Sequence, residues 1–140
     1  MTAKAASMPS RKKASNIFKA AKSFCSFSVN DLQKAKEFYG QMLGLDVSET
    51  PEGLELNTDN NTVFLYPKPN HTPASFTVLN FQVDDIEKAI DELASVGVNL
   101  EHYNLADIKT DTRGIFRGPG HQIAWFKDPA GNVLSVIEEQ

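Results

Sequence analysis

The sequence predicts an α+β fold made of two βαβββ modules in tandem. Three observations carry that prediction: an internal repeat at an offset of 54 residues, an alternating stretch followed by a helical stretch at the head of each copy, and a glycine closing each helical stretch. In the repeat Phe27 aligns with Phe81, Val29 with Val83, Asp31 with Asp85, Leu32 with Ile86, Lys34 with Lys88 and Ala35 with Ala89. With one residue dropped, Gly44 pairs with Gly97 and Val47 with Leu100. Two copies of this length form paired supersecondary units, not a solenoid.

Each copy opens on alternating apolar and polar residues rich in aromatic and β-branched types, Ser23–Val29 and Phe76–Val83, which predicts a strand. Asn30-x-x-Gln33 and Asp84-x-x-Glu87 then read as capping boxes that start a helix. Leu32, Ala35, Phe38, Tyr39, Met42 and Leu43 share one helical face, as do Ile86, Ala89, Ile90, Leu93 and Val96. Gly44 and Gly97 stand where a helix end needs a left-handed residue. Short β-like runs follow: Leu45–Ser48, Leu54–Asn57 and Thr62–Tyr66 in the first copy, then Leu100–Tyr103, Ile115–Arg117, Gln122–Phe126 and Val133–Glu138 in the second. Asp59-Asn60-Asn61, Gly118-Pro119-Gly120 and Asp128-Pro129-Ala130-Gly131 mark the turns between runs.

The chain has 140 residues, 41% hydrophobic and 23% charged, which fits one globular domain. Residues 1–22 carry Lys4, Arg11, Lys12, Lys13, Lys19 and Lys22 and no acid, and read as a disordered basic leader. The folded domain is then 23–140, with modules of about 23–73 and 74–140. All 18 acidic residues fall in it. A body of that charge repels phosphate backbones, so nucleic acid is not an expected partner. No apolar run approaches the roughly 18–20 residues that span a bilayer, and no apolar stretch follows the basic one as in a secretory signal. A membrane is therefore not an expected partner, and the expected compartment is the cytoplasm. The single Cys25 excludes an intramolecular disulfide, and its alternation places it under the first helix as a small buried hydrophobe.

The same alternation sends Phe27 and Val29, with Leu79, Phe81 and Val83, toward the helices. Phe24, Ser26 and Ser28, with Val78, Asn80 and Gln82, point the other way. Polar groups on that side fit either a ligand-holding cleft or plain exposed sheet.

Several segments together resemble one family. Val29-Asn30-Asp31 leads into a helix carrying Phe38-Tyr39 and closing on Leu43-Gly44-Leu45; a second unit starts at Val83-Asp84-Asp85; the chain ends in Asp128-Pro129-Ala130-Gly131-Asn132-Val133-Leu134. Over about residues 23–139 this is similar to the vicinal oxygen chelate superfamily, which contains glyoxalase I, bleomycin-resistance proteins and extradiol dioxygenases. The resemblance implies an open, cleft-containing mixed-sheet barrel with helices outside, and a homodimer. It also implies divalent metal ligands on the first and fourth strands of each module. Counting from the motifs, those positions fall on Phe24, Val78 and Ser135, and Thr62–Tyr66 offers no acid or histidine for the fourth. The expectation is therefore no family metal and no cofactor. His71, His102 and His121 lack the close spacing of a metal site, and exposed loop positions are their simplest reading. By the family pattern Trp125 faces the cavity, with Ile123 beside it by alternation.

The ligand-binding set expected from parity and resemblance is Phe24, Ser26, Ser28, Tyr66, Val78, Asn80, Gln82, Ile123, Trp125 and Ser135. The leading expectation is a metal-independent small-molecule binding protein. One alternative is a glyoxalase-like lyase or isomerase using a displaced metal or an acid–base group, for which His121 and Glu55 are the candidates. The other is a structural or regulatory dimer with a vestigial cleft.

Overall fold

The computed structural model describes residues 12–140. A single exposed helical turn, α1 (Ile17–Ala20), lies within the stretch read as leader and buries nothing. The first module then runs β1 (Cys25–Val29), α2 (Leu32–Lys36), β2 (Asp46–Thr50), β3 (Gly53–Asn57) and β4 (Thr62–Pro67). The second runs β5 (Thr77–Gln82), α3 (Ile86–Ser95), β6 (Phe116–Gly118), β7 (His121–Lys127) and β8 (Val133–Glu139). Each module forms a four-stranded sheet of the same order, β1-β4-β3-β2 and β5-β8-β7-β6. The first strand pairs in parallel with the last, and the other pairs are antiparallel. This is the tandem βαβββ arrangement, with two mixed sheets that do not close.

Both module helices, α2 and α3, start one residue later than the capping-box pattern places them. Asp31 and Asp85 are the caps, accepting from the Lys34 and Lys88 amides at 3.1 Å. Two adjacent residues of capping type were available in each copy, and the first apolar side chain to be buried, Leu32 or Ile86, selects the second. A β8 side chain also serves α3: Glu138 accepts the Ile86 amide at 2.8 Å. The end of the first helix widens into a π-helical stretch, Glu37–Met42, whose extra residue turns Phe38 and Tyr39 together into the core. Gly44 and Gly97 take φ of 78° and 86° and end the two helices at equivalent points.

Strand β1 becomes more buried along its length, from an exposed Cys25 to a buried Val29. Cys25 is thus not under the helix as its parity predicts, because the short α2 packs over β3 and β4 and leaves the start of the edge strand open. In the second module Leu100–Tyr103 forms only a single bridge, Leu100 to Phe126. Phe116–Gly118 holds the rest of that sheet edge and closes a hairpin through Pro119-Gly120. Residues 101–115, absent from the first copy, are the excursion between them.

One apolar core spans both modules. Phe38 meets Tyr39 edge-on at 5.0 Å and Phe126 of the other module at 6.4 Å. At its centre the buried Asp128 carboxylate takes the Tyr39 hydroxyl at 2.7 Å, the Ala130 and Asn132 amides at 2.9 Å and the Asn132 side chain at 3.0 Å. Burial first, and then the Asp128 charge and hydrogen bond, push the Tyr39 phenol far above its ordinary value, so it remains a donor. Tyr39→Phe should cost about 1.5–3 kcal/mol, the range for a hydrogen bond to a charged group. Asp128→Ala should cost more, about 3–5 kcal/mol, since it strands several buried donors at once. Urea unfolding of the two variants checks the order.

Candidate functional site

The helix-free face of the second sheet is built by pairing Asn80 with Ser135 and Ser135 with Trp125. Ser135 is fully buried and its hydroxyl donates to Asn80 Oδ1 at 2.5 Å. Trp125, 9% exposed, donates its indole N–H to Thr77 Oγ1 at 3.1 Å. A bulge between Thr77 and Leu79 resets the alternation, so that Thr77 stands against Trp125 and Val78 packs on the core cluster. The 101–115 excursion then lays Tyr103 edge-on to Trp125 at 5.4 Å, and Phe116 adds a third ring at 6.2 Å. Burial, and secondarily the Glu101 carboxylate, raise the Tyr103 phenol, with Lys127 acting the other way. Arg113 anchors the excursion on α3 through Glu87 at 2.7 Å and Asp91 at 2.6 Å. Gln82, Ile137 and Ile123 form the next row, with His121 half-buried against Phe116 at 6.0 Å.

The first sheet presents a different face. Ser26 pairs with Phe64, Phe64 with Glu55 and Glu55 with Ser48, so the four share one row. Phe64 stacks on Tyr66, centroids 6.4 Å apart and planes at 19°. A cleft of about 980 Å³ lies over this face, lined by Phe24, Phe64, Glu55, Glu52, Asp59 and Lys22 among others. Phe24 is 65% exposed and Tyr66 38%. A smaller apolar hollow of about 270 Å³ sits on the helix side, between the end of the first helix and α3.

Within one chain the residues expected at the site thus divide. Phe24, Ser26, Tyr66 and Glu55 lie on the first face; Asn80, Gln82, Ile123, Trp125 and Ser135 lie on the second. Ser28 is taken up by an internal bond. The Ala130 carbonyl can only accept, so His71 Nε2 at 3.1 Å carries the proton, and His71 Nδ1 accepts the Ser28 hydroxyl at 2.6 Å. His71 is therefore half-buried and held between modules instead of exposed in a loop. Phe64, Thr77, Tyr103 and Phe116 belong to these faces although the sequence reading did not single them out. Phe64 was within reach, being two residues from Tyr66 on one strand; Tyr103 and Thr77 depend on an excursion and a bulge without local signature.

The profile of the Glyoxalase/Bleomycin resistance protein/Dioxygenase superfamily matches residues 23–136. The chain belongs to this superfamily. Similar solved structures include a glyoxalase family protein from Bacillus anthracis, with 20% identity, TM-score 0.64 and coverage of 86% of this chain and 97% of that one. An antibiotic binding protein from Streptomyces shows 24% identity, TM-score 0.63 and coverage of 86% and 98%. Lactoylglutathione lyase from Agrobacterium tumefaciens shows 21% identity, TM-score 0.61 and coverage of 85% and 93%. At these identities the likeness concerns the fold. No curated protein sequence matches.

The divalent metal associated with the superfamily can be tested against the residues present. Ser26 and Asn80 are repeat mates, and their fourth-strand partners are Phe64 and Ser135. The fourth position left empty in the sequence count is thus Phe64, and the set becomes Phe24, Phe64, Val78 and Ser135. Two phenyl rings, an isopropyl group and a hydroxyl already bonded to Asn80 do not fit a divalent ion. Among the described residues no three His, Cys, Asp or Glu side chains come together to hold one elsewhere. Trp125 is the only tryptophan and so reports the second face directly. Tyr103→Ala should uncover it and move its emission to longer wavelength; an unchanged spectrum would show that Tyr103 does not cover the ring.

Proposed function

We propose that the protein binds an organic small molecule without a resident metal and works as a homodimer. The cleft on the first sheet carries this reading: about 980 Å³ of space faced by aromatic, carboxylate and amide groups, within the usual size range of a small-molecule site. The absence of ligating groups at the four family positions supports metal independence, and the antibiotic binding protein among the similar structures supports a binding role on this frame. The exposed Ile17, Phe18, Phe24 and Phe76 support pairing of two chains, since single chains rarely leave so many large apolar groups in water.

Metal analysis of the purified protein should find no stoichiometric transition metal, and Ni or Zn should leave the melting temperature unchanged. A panel of small organic molecules screened by thermal shift should contain a stabilising member, by about 2.7 kcal/mol at a concentration 100 times its Kd. Stoichiometric metal whose removal by chelator lowers the melting temperature would overturn the metal-free reading. Light scattering at micromolar concentration should give the dimer mass.

A further inference from the structure

We propose that the cleft on the first sheet selects an organic cation carried on a planar apolar body, a proposal that rests on the small-molecule reading above. Glu55 stands at its centre. It sits on β3, an inner strand of the sheet, half-buried, with Phe64 directly across on one side and Ser48 on the other. Among the described residues its carboxylate makes no ion pair and no hydrogen bond, whereas Lys36 and Glu49 on the opposite face of the same sheet pair at 2.5 Å.

The rings beside Glu55 sharpen its preference. Phe64 and Phe24 line the cleft, Phe64 with Tyr66 stacked behind it, and aromatic π-faces carry negative electrostatic potential. A cation in the cleft meets the Phe64 and Phe24 rings and a carboxylate together. A neutral planar ligand would bury the carboxylate with no partner, and an anion would add repulsion to that cost. The rim acts in the same direction, since of the described lining side chains Glu52, Glu55 and Asp59 are acidic and Lys22 is basic. Rim charges in water are screened within roughly 10 Å at 0.1 M salt, so the discrimination resides in Glu55. A bare metal ion is a poor fit, because a hard cation asks for about six oxygen ligands and Glu55 stands alone on its row.

The test uses the full-length protein and two planar probes of opposite charge, proflavine as the cation and anthraquinone-2-sulfonate as the anion, titrated by calorimetry. Proflavine should bind with one site per chain and at least about tenfold more tightly than the anion. Glu55→Gln should weaken proflavine about tenfold or more without weakening the anion, and Glu55→Asp should fall between. Phe64→Leu should weaken proflavine as well. Asp107→Asn, which removes the same charge from an exposed loop, should leave its affinity unchanged. Equal losses in Glu55→Gln and Asp107→Asn would show nonspecific attraction and overturn the proposal. So would proflavine binding that ignores both Glu55→Gln and Phe64→Leu. If the anion binds in the cleft and the cation does not, the small-molecule reading stands and the charge assignment falls. If neither probe nor any member of the thermal-shift panel binds, both fall.

Discussion

A single buried carboxylate, Asp128, holds the two modules in one body. A carboxyl group enclosed in an apolar core must be met by hydrogen-bond partners, and the chain meets it with the turn that contains it and with Tyr39, 89 residues away. The Asn132 side chain, already bonded to Asp128, also donates to the Ser28 carbonyl at 2.9 Å and so fixes the outer edge of β1. From Ser28 the path continues through His71 and returns to the Ala130 carbonyl of the same turn. The circuit is closed and crosses the module boundary twice, at Asn132–Ser28 and at His71–Ala130, and the Tyr39–Asp128 bond crosses it once more beside the circuit. The position of one sheet relative to the other therefore follows from hydrogen-bond satisfaction as much as from the Phe38–Phe126 contact.

This explains what could be read from the sequence and what could not. The repeat, the helical faces of Leu32–Leu43 and Ile86–Val96, and the glycines at 44 and 97 are local signals, and each appears in the fold. The Asp128-Pro129-Ala130-Gly131 turn was legible as a turn, but its role was not, since its partners Tyr39, Ser28 and His71 are 89, 104 and 59 residues away. Cys25 failed for a related reason. Parity states which face a side chain takes, while burial depends on how far the helix reaches along that face. Leu100–Tyr103 carries a strand pattern, yet the β7 edge is shared with Phe116–Gly118 and leaves it one bridge.

The two helix-free faces show how a repeat diverges while its topology stays fixed. The first module joins β2 to β3 through the tight Pro51-Glu52 turn, and its face is left open. The second inserts 101–115 near the corresponding point, and that segment brings Tyr103 over Trp125 and ties itself down through Arg113. The bulge at Val78 adds Thr77 as the indole's partner. The residues expected in one cavity lining therefore belong to two faces, one partly covered by the rings of Tyr103 and Phe116 and one left open.

Hydrogen-bond accounting on the equivalent rows separates their capacities. Asn80, Ser135 and Trp125 correspond by repeat and register to Ser26, Phe64 and Glu55. In the second row Ser135 is spent on Asn80 and the indole on Thr77. A ligand arriving there would have to replace bonds of equal quality and expel two aromatic rings, so little net free energy is available. In the first row none of Ser26, Glu55 and Ser48 makes a side-chain hydrogen bond to another described residue, and Phe64 beside them lines the cleft. A carboxylate and two hydroxyls thus stand without protein partners among the described residues on the first face, which is the face over which the cleft lies.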